Sequence, residues 1–119
     1  MTPLSNNNDN DTLRVLAQAT RDFYDRFGYQ PTVENMTMNF QEEARELVEA
    51  AHEDDLDHTA EEAADVFVTA IGLCFASGVD VDRLIEQVYA VINKNNAKNH
   101  ETHVLHEGKI RRRSSIKQE

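Results

Sequence analysis

The sequence predicts an all-α fold, a bundle of four to five helices. Three observations support this class: only four Gly and two Pro in 119 residues, runs rich in Ala, Leu, Val and Glu, and apolar residues that recur every three or four positions. Gly and Pro interrupt helices, whereas Ala, Leu and Glu favour them. A chain of this length most simply forms one domain with a modest core, so we expect self-association to complete it.

Composition also limits the classes of function. The formal charge is -10, and an acidic body repels nucleic acid phosphates, which argues against binding of a nucleic acid duplex. The single cysteine, Cys74, can form no internal disulfide. No segment has the pattern of a signal peptide or reaches the roughly 18 apolar residues of a membrane span. We therefore expect a soluble, cytoplasmic protein with no membrane partner.

The first helix is expected to follow a polar lead-in. Residues 1–10 are rich in Asn, which predicts a disordered segment before a helical domain over residues 11–99. Regular apolar positions predict a first helix over residues 11–27, with Asp11 as its N-cap and Gly28 as its stop. Because Pro31 disfavours a helix at the residue before it, residues 30–38 are expected to be an extended connector.

The second helix is expected to begin near Asn39. The side chain of Asn39, with Glu42 three residues later, resembles a capping box. Acidic residues lie on the back of this helix, and Glu43 lies at the edge of its apolar stripe. Taken alone, the pattern favours an ordinary core helix with a solvated acidic back. The stripe consists of Ala44, Leu47, Val48 and Ala51.

The third helix, predicted over residues 58–77 with Thr59 as a candidate cap, has a wide apolar arc that we expect other parts of the protein to cover. The remaining strip has polar side chains at one end and small side chains at the other, which indicates a groove. Asp65 lies in an apolar run, where a buried carboxylate needs a partner. Arg45 and Arg21 are the basic candidates, and a bound cation is the alternative that we prefer. The strip consists of His58, Glu62, Asp65, Thr69, Gly72 and Ala76.

Two acidic pairs on these helices predict a metal site. Glu43 and Glu46 lie on the second helix, and Glu62 and Asp65 lie on the third. Residues three apart share a helix face, so each pair offers two carboxylates in one direction. If the pairs face each other, hard cations would stabilise the resulting charge density. We expect Mg²⁺, with Mn²⁺ as a substitute.

The fourth helix is expected to begin after Asp80, its N-cap, and its apolar stripe ends at Ile92. Amides and amines then take over in residues 93–99, which could bind phosphate, ribose or a base, or could form a frayed cationic helix end. Residues 94–119 hold seven bases and three acids. The basic C-terminal tail, residues 100–119, is expected either to be disordered or to fold over phosphates bound at the acidic helices.

The spacing of the acids resembles that of a known family. Glu43-x-x-Glu46, fifteen intervening residues, and Glu62-x-x-Asp65 resemble the paired motif of the MazG-like all-α nucleoside triphosphate pyrophosphohydrolases. More specifically, the chain resembles relatives of phosphoribosyl-ATP pyrophosphohydrolase. The resemblance covers about residues 12–113. It includes the aromatic segment 22–28, the turn 78–81, and a C-terminal segment with Asn95-x-x-Lys98 and Gly108-Lys109.

The resemblance implies an enzyme that uses Mg²⁺ to cleave a nucleoside triphosphate, or a phosphoribosyl nucleotide, to a monophosphate and pyrophosphate. In such sites metals neutralise phosphate oxygens and activate water. The resemblance also implies a nucleotide-binding homodimer or homotetramer whose pocket is completed by a second chain. The alternative is a non-catalytic helical module for oligomerisation or regulation, whose acids are merely solvated. The implied roles are metal ligation by Glu43, Glu46, Glu62 and Asp65, catalysis by Glu42 and Glu43, and substrate contact by Lys94, Asn95, Lys98 and Lys109.

Overall fold

The computed structural model describes residues 11–116 and confirms the predicted all-α helical bundle. The four helices are followed by a small antiparallel hairpin, in which His103 pairs with Arg112 and His106 with Lys109. The predicted disordered lead-in lies outside the described residues. In chain order the elements are α1 (Thr12–Arg26), α2 (Val33–Ala51), α3 (Leu56–Ala76), α4 (Val81–Asn96), β1 (His103–His106), β2 (Lys109–Arg112) and a 3-10 turn (Arg113–Ser115).

Side-chain caps determine where the helices begin. Asp11 and Asp80 cap α1 and α4 as predicted, each accepting a hydrogen bond from a backbone N–H in the first turn. The predicted start of α2 near Asn39 is wrong. Thr32 is the cap, its hydroxyl accepting from the N–H of Asn35 at 3.1 Å. Pro31 restricts the residue before it but not those after it, so residues 33–38 are helical rather than extended.

The connector between α2 and α3 is closed by side chains from both of its ends. Asp55 caps α3 by accepting from the N–H of His58 at 3.0 Å, so this helix begins at Leu56. Thr59, which the sequence indicated as a candidate cap, has a different role. Its hydroxyl is 3.1 Å from the carbonyl oxygens of both Ala50 and Asp55. This contact ties the end of α2 to the start of α3 and fixes how the two helices face each other.

Side chains of α1 and α2 approach the backbone of α3 closely at Gly72. A Cβ atom at this position would lie 2.5 Å from the Tyr24 hydroxyl and 2.6 Å from Cε of Met36. The absence of a side chain therefore lets α1 and α2 meet on α3, and Met36 is fully buried there. The adjoining core is apolar and lies mainly between α1 and α3. Its buried members are Ala17, Tyr24, Ile71 and Phe75.

Much apolar surface stays exposed in the single chain. Within residues 11–116 the expected cover over most of α3 is not formed: α4 packs mainly on α1, and Phe67 is 56% exposed. The radius of gyration is 17.4 Å, whereas a compact domain of 100 residues has about 13 Å. Exposed apolar area of this kind marks surfaces that bind other proteins. Within residues 11–116, no helix has the length and hydrophobicity needed to cross a bilayer.

We expect the protein to self-associate, because the exposed side of α3 would leave water in a complex between copies. Light scattering at micromolar concentration should give the mass of a dimer or tetramer. Phe67→Glu should shift the mass towards that of one chain, because the interface would then bury an unpaired charge. A monomeric mass for the unmodified protein would contradict the expectation.

Candidate metal centre

Three carboxylates converge between α2 and α3. Glu43 comes from α2, and Glu62 and Asp65 come from successive turns of α3. One oxygen from each lies within 4.8 Å of the other two. Ligands of one Mg²⁺ lie about 2.0–2.1 Å from the ion and therefore at most about 4.2 Å apart, so small side-chain movements would allow these oxygens to share a cation. The structure therefore brings together three of the four residues for which the sequence predicted metal ligation.

Two of these carboxylates are partly withdrawn from water. The Oε2 atoms of Glu43 and Glu62 are buried and have no hydrogen-bond partner among the described residues. The Glu62 side chain as a whole is 13% exposed. A buried acceptor without a partner is destabilising, and more so if it is charged. A cation held by the cluster would satisfy these oxygens, so the residues present fit a divalent metal.

Asp65 is exposed, and the prediction that it is buried is wrong. Its apolar neighbours in sequence point in other directions, because each residue turns a helix by 100° and Asp65 shares its face with Glu62. The alternative of a structural ion pair is not formed among residues 11–116. Arg45 pairs with Glu49 at 2.8 Å, and the guanidinium of Arg21 lies 4.0 Å from the ring centre of Phe75.

The electrostatics of the cluster also involve Glu46. Burial raises the pKa of Glu43 and of Glu62, and the negative charges of Glu46 and then Asp65 raise it further. Glu46 therefore acts on the same small volume, although it is not one of the three converging groups. Glu42 is exposed and lies outside those three as well. The catalytic role of Glu42 stays a prediction.

His58 is a member of the site to which the sequence analysis assigned no role. Its Nδ1 lies 2.9 Å from Oε2 of Glu53, and its Nε2 lies 3.3 Å from Oε1 of Glu62. The hydrogen bond to Glu53, with a further contribution from Glu62, raises the pKa of His58. The ring thus orients Glu62 from outside the cluster. The sequence signal was the four-residue spacing of His58 and Glu62 on one helix.

An aromatic cavity of about 310 Å³ opens beside the carboxylates. Glu43 lines this cavity and also belongs to the cluster, so the two are continuous. Two ring pairs meet edge to face, Phe23 with Phe27 and Tyr24 with Tyr29. Such walls suit a flat aromatic ligand, and the amide of Asn39 can form hydrogen bonds with the edge of that ligand. The cavity is lined by Phe23, Tyr24, Phe27, Tyr29, Met36, Asn39, Glu43 and Thr69.

The predicted substrate-binding residues lie apart from these acids. Lys94 and Lys98 line a second cavity, of about 610 Å³, between the end of α4 and the hairpin. Asn95 accepts a hydrogen bond from Nζ of Lys98 at 2.9 Å, and Lys109 begins β2 outside the lining of either cavity. Neither α4 nor the hairpin packs extensively on α2 or α3. Within one chain the lysines and the acids therefore belong to different sites.

The four helices and the acidic cluster define the class of protein. The sequence model of the phosphoribosyl-ATP pyrophosphohydrolase family matches residues 13–91, which include all the carboxylates described above. Pyrophosphohydrolases are hydrolases that act on acid anhydrides. The chain belongs to the phosphoribosyl-ATP pyrophosphohydrolase family. Searches of curated proteins and of solved structures find no significant match.

Replacing Asp65 with Asn should separate metal binding from structural pairing. Without metal, the variant should be as stable as the unmodified protein or more stable, because one of several repelling charges is removed. Mg²⁺ at 100 times its Kd should stabilise the unmodified protein by about 2.7 kcal/mol, and Asp65→Asn should lose this gain. Thermal melting in chelator and in Mg²⁺ measures both effects.

Glu61→Gln is the matched control, since Glu61 is exposed on the same helix and lies outside the cluster. It should respond to Mg²⁺ like the unmodified protein. An Asp65→Asn variant that is less stable in chelator, yet gains as much from Mg²⁺, would remove the metal assignment.

The stability of the metal-free protein should fall as pH rises above about 4.5, the ordinary pKa of Glu43 and Glu62. Because the fold raises the pKa of both groups, the folded state binds more protons than the unfolded chain in this window, and deprotonation then destabilises it. Other carboxylates titrate in the same range, so the decrease is compared with that of Glu43→Gln, which should be smaller. Chemical denaturation at a series of pH values measures the free energy of unfolding. Equal decreases would contradict the assignment.

Proposed function

We propose that the protein is a Mg²⁺-dependent pyrophosphohydrolase that cleaves a nucleoside triphosphate, or a phosphoribosyl nucleotide such as phosphoribosyl-ATP, between the α and β phosphates. The products are a monophosphate and pyrophosphate. The observation that carries the proposal is the convergence of Glu43, Glu62 and Asp65 beside the aromatic cavity. The family match over residues 13–91 supports the class of reaction.

The metal ligands in this proposal are Glu43, Glu62 and Asp65, with Glu46 adjacent to them. Bound Mg²⁺, or Mn²⁺ in its place, supplies positive charge that neutralises phosphate oxygens and makes water more acidic. Alone, these carboxylates would repel a triphosphate, which is why we propose that substrate binding depends on the cation. His58 keeps Glu62 in position by its contact at 3.3 Å.

The hydrolytic step needs a group that accepts a proton from water. As the water oxygen bonds to the α phosphorus, the bond from that phosphorus to the bridging oxygen breaks and pyrophosphate leaves. We propose Glu42 and Glu43 for orienting the water and taking its proton. Glu43 is favoured by its position, because it belongs to the carboxylate cluster and also lines the cavity proposed for the nucleoside.

The aromatic cavity is the proposed site for the nucleoside. Its volume, about 310 Å³, is at the lower end of the range for small-molecule sites. A base can pack against the rings of Phe23 and Tyr24, and the Asn39 amide offers both a donor and an acceptor to its edge. Because Glu43 lines the same cavity, a base bound here would place the attached phosphates next to the carboxylates.

We further propose that the active form is a homodimer or homotetramer in the cytoplasm. The exposed apolar surface around Phe67 supports self-association. The position of Lys94, Asn95, Lys98 and Lys109 supports it as well, since these residues could reach a nucleotide at the acids only from a second copy. A free thiol at Cys74 is compatible with the reducing cytoplasm.

A panel of nucleoside triphosphates and phosphoribosyl-ATP, incubated with the protein and Mg²⁺, should yield pyrophosphate as the primary product. Asp65→Asn should lower kcat/KM by about 100-fold or more. Loss of a residue that only supports a metal ligand costs roughly 10–100-fold, and loss of a ligand itself should cost at least the upper value. Chelator should abolish turnover, and Glu61→Gln should leave it unchanged. Orthophosphate as the primary product would contradict the proposed bond cleavage, and no turnover of any substrate would favour a non-catalytic module.

A further inference from the structure

A basic cleft lies outside the part of the chain that the family model matches, which ends at residue 91. This basic cleft is the 610 Å³ cavity between the end of α4 and the hairpin. We propose that it binds an oligophosphate, either free or as part of a nucleotide, through Lys94, Lys98 and Arg112. The cleft is lined by Lys94, Ala97, Lys98, Glu101, Thr102, His103, Arg112, Arg113 and Ser114.

The charge of the lining is strongly positive. Four of its side chains are cationic, and Glu101 is the one acid among them. None of the four cations forms an ion pair within residues 11–116. Cations held close together without counter-charges repel one another, and a bound anion relieves that repulsion. Because residues 1–93 carry 19 of the 22 acids, this positive charge is a local feature of the chain.

Hydrogen bonds to backbone groups hold the cleft in shape. The Nε of Arg113 donates to the carbonyl of His100 at 2.7 Å, and its backbone N–H donates to that of Thr102 at 3.0 Å. The Asn99 side chain accepts from the N–H of Glu101 at 2.8 Å. The hairpin register then places Arg112 opposite His103. The cations are therefore presented by an ordered framework rather than by a free tail.

The pKa of His103 reflects the positive charges around it. Its Nδ1 lies 2.7 Å from the Thr102 hydroxyl. Burial lowers the pKa of His103, and the positive charges of Lys98, Arg112 and Lys94 lower it further. Lys94 of α4, Lys98 in the segment after that helix, and Arg112 of β2 thus act on one point of the cleft. An anion bound among them would raise the pKa of His103.

The chemistry of the lining fits phosphate oxygens. The guanidinium of Arg112 can donate two parallel hydrogen bonds to a phosphate, and the amines of Lys94 and Lys98 add charged donors. The cavity is larger than an oligophosphate, and its volume is in the normal range for small-molecule sites. Ala97 and the aliphatic stems of the cationic side chains provide an apolar wall for the rest of a ligand.

Binding to the basic cleft can be measured without the acid cluster. Inorganic pyrophosphate is titrated into the full chain in EDTA, where no metal can bridge it to the carboxylates. We expect saturable binding by calorimetry and a higher pKa of His103 by NMR. Arg112→Ala should weaken the affinity by about tenfold or more, the effect of losing a charged hydrogen bond. Thermal melts establish that each variant is folded.

Arg111→Ala is the matched control. Arg111 is adjacent on β2 and points to the opposite face, where its Nε donates to the carbonyl of His106. Both variants lose one positive charge from the same strand, so Arg111→Ala should change the affinity less than about twofold if the cleft is specific. Equal weakening by the two substitutions would show attraction to net charge alone and would overturn the proposal.

A second arm distinguishes the two sources of the oligophosphate. ATP with Mg²⁺ is added to the unmodified protein and to Asp65→Asn while the His103 signals are followed. A response to pyrophosphate in EDTA that persists in Asp65→Asn supports a free ligand. A response only to ATP with Mg²⁺, lost in Asp65→Asn, supports a nucleotide presented by the acid cluster of another copy. No response of His103 in either arm overturns the proposal, whether or not the protein hydrolyses nucleotides.

Discussion

Mutual repulsion among carboxylates, held in check by the packing of α2 on α3, is the constraint on which the site depends. The three converging acids would separate if the helices were free to move apart. The Thr59 hydroxyl prevents this at one end, where it bonds the last turn of α2. At the other end Gly72 lets Met36 pack directly on α3. Helices α2 and α3 are thus held together on both sides of the carboxylates. The free energy that keeps the carboxylates close comes from packing elsewhere.

The same close contact explains why the aromatic cavity lies where it does. Tyr24 and Met36 fill the groove of α3 at Gly72, and one turn earlier Thr69 lines open space. The groove is therefore closed where α3 has its smallest residue and open next to the acids. One strip of α3 therefore contributes to both sites: Glu62 and Asp65 belong to the cluster for a cation, and Thr69 lines the cavity for a flat ligand.

The sequence predicts most of the fold because local signals decide where helices begin. Asp11 and Asp80 are predicted as caps, and both are used. The prediction at Asn39 was wrong because its spacing to Glu42 fits a capping box. The hydroxyl of Thr32, directly after Pro31, makes the capping hydrogen bond instead. Sequence pattern alone does not rank two plausible caps.

The candidate site was predictable only in part. The spacing within each acidic pair follows from helix geometry, and three of the four acids do converge. The exposure of Asp65 was missed although helix geometry contains the signal, because its apolar neighbours in sequence lie on other faces of α3 and Asp65 shares a face with Glu62. The separation of Lys98 from the acids, in contrast, could not be predicted from local sequence. It depends on α4 packing against α1, a long-range contact that no local pattern encodes. The result is a molecule with an excess of acids on the helices and an excess of bases at the hairpin end, and therefore a permanent electric dipole. A charged ligand approaching such a molecule is oriented before contact, over roughly one Debye length, and this guidance weakens as ionic strength rises.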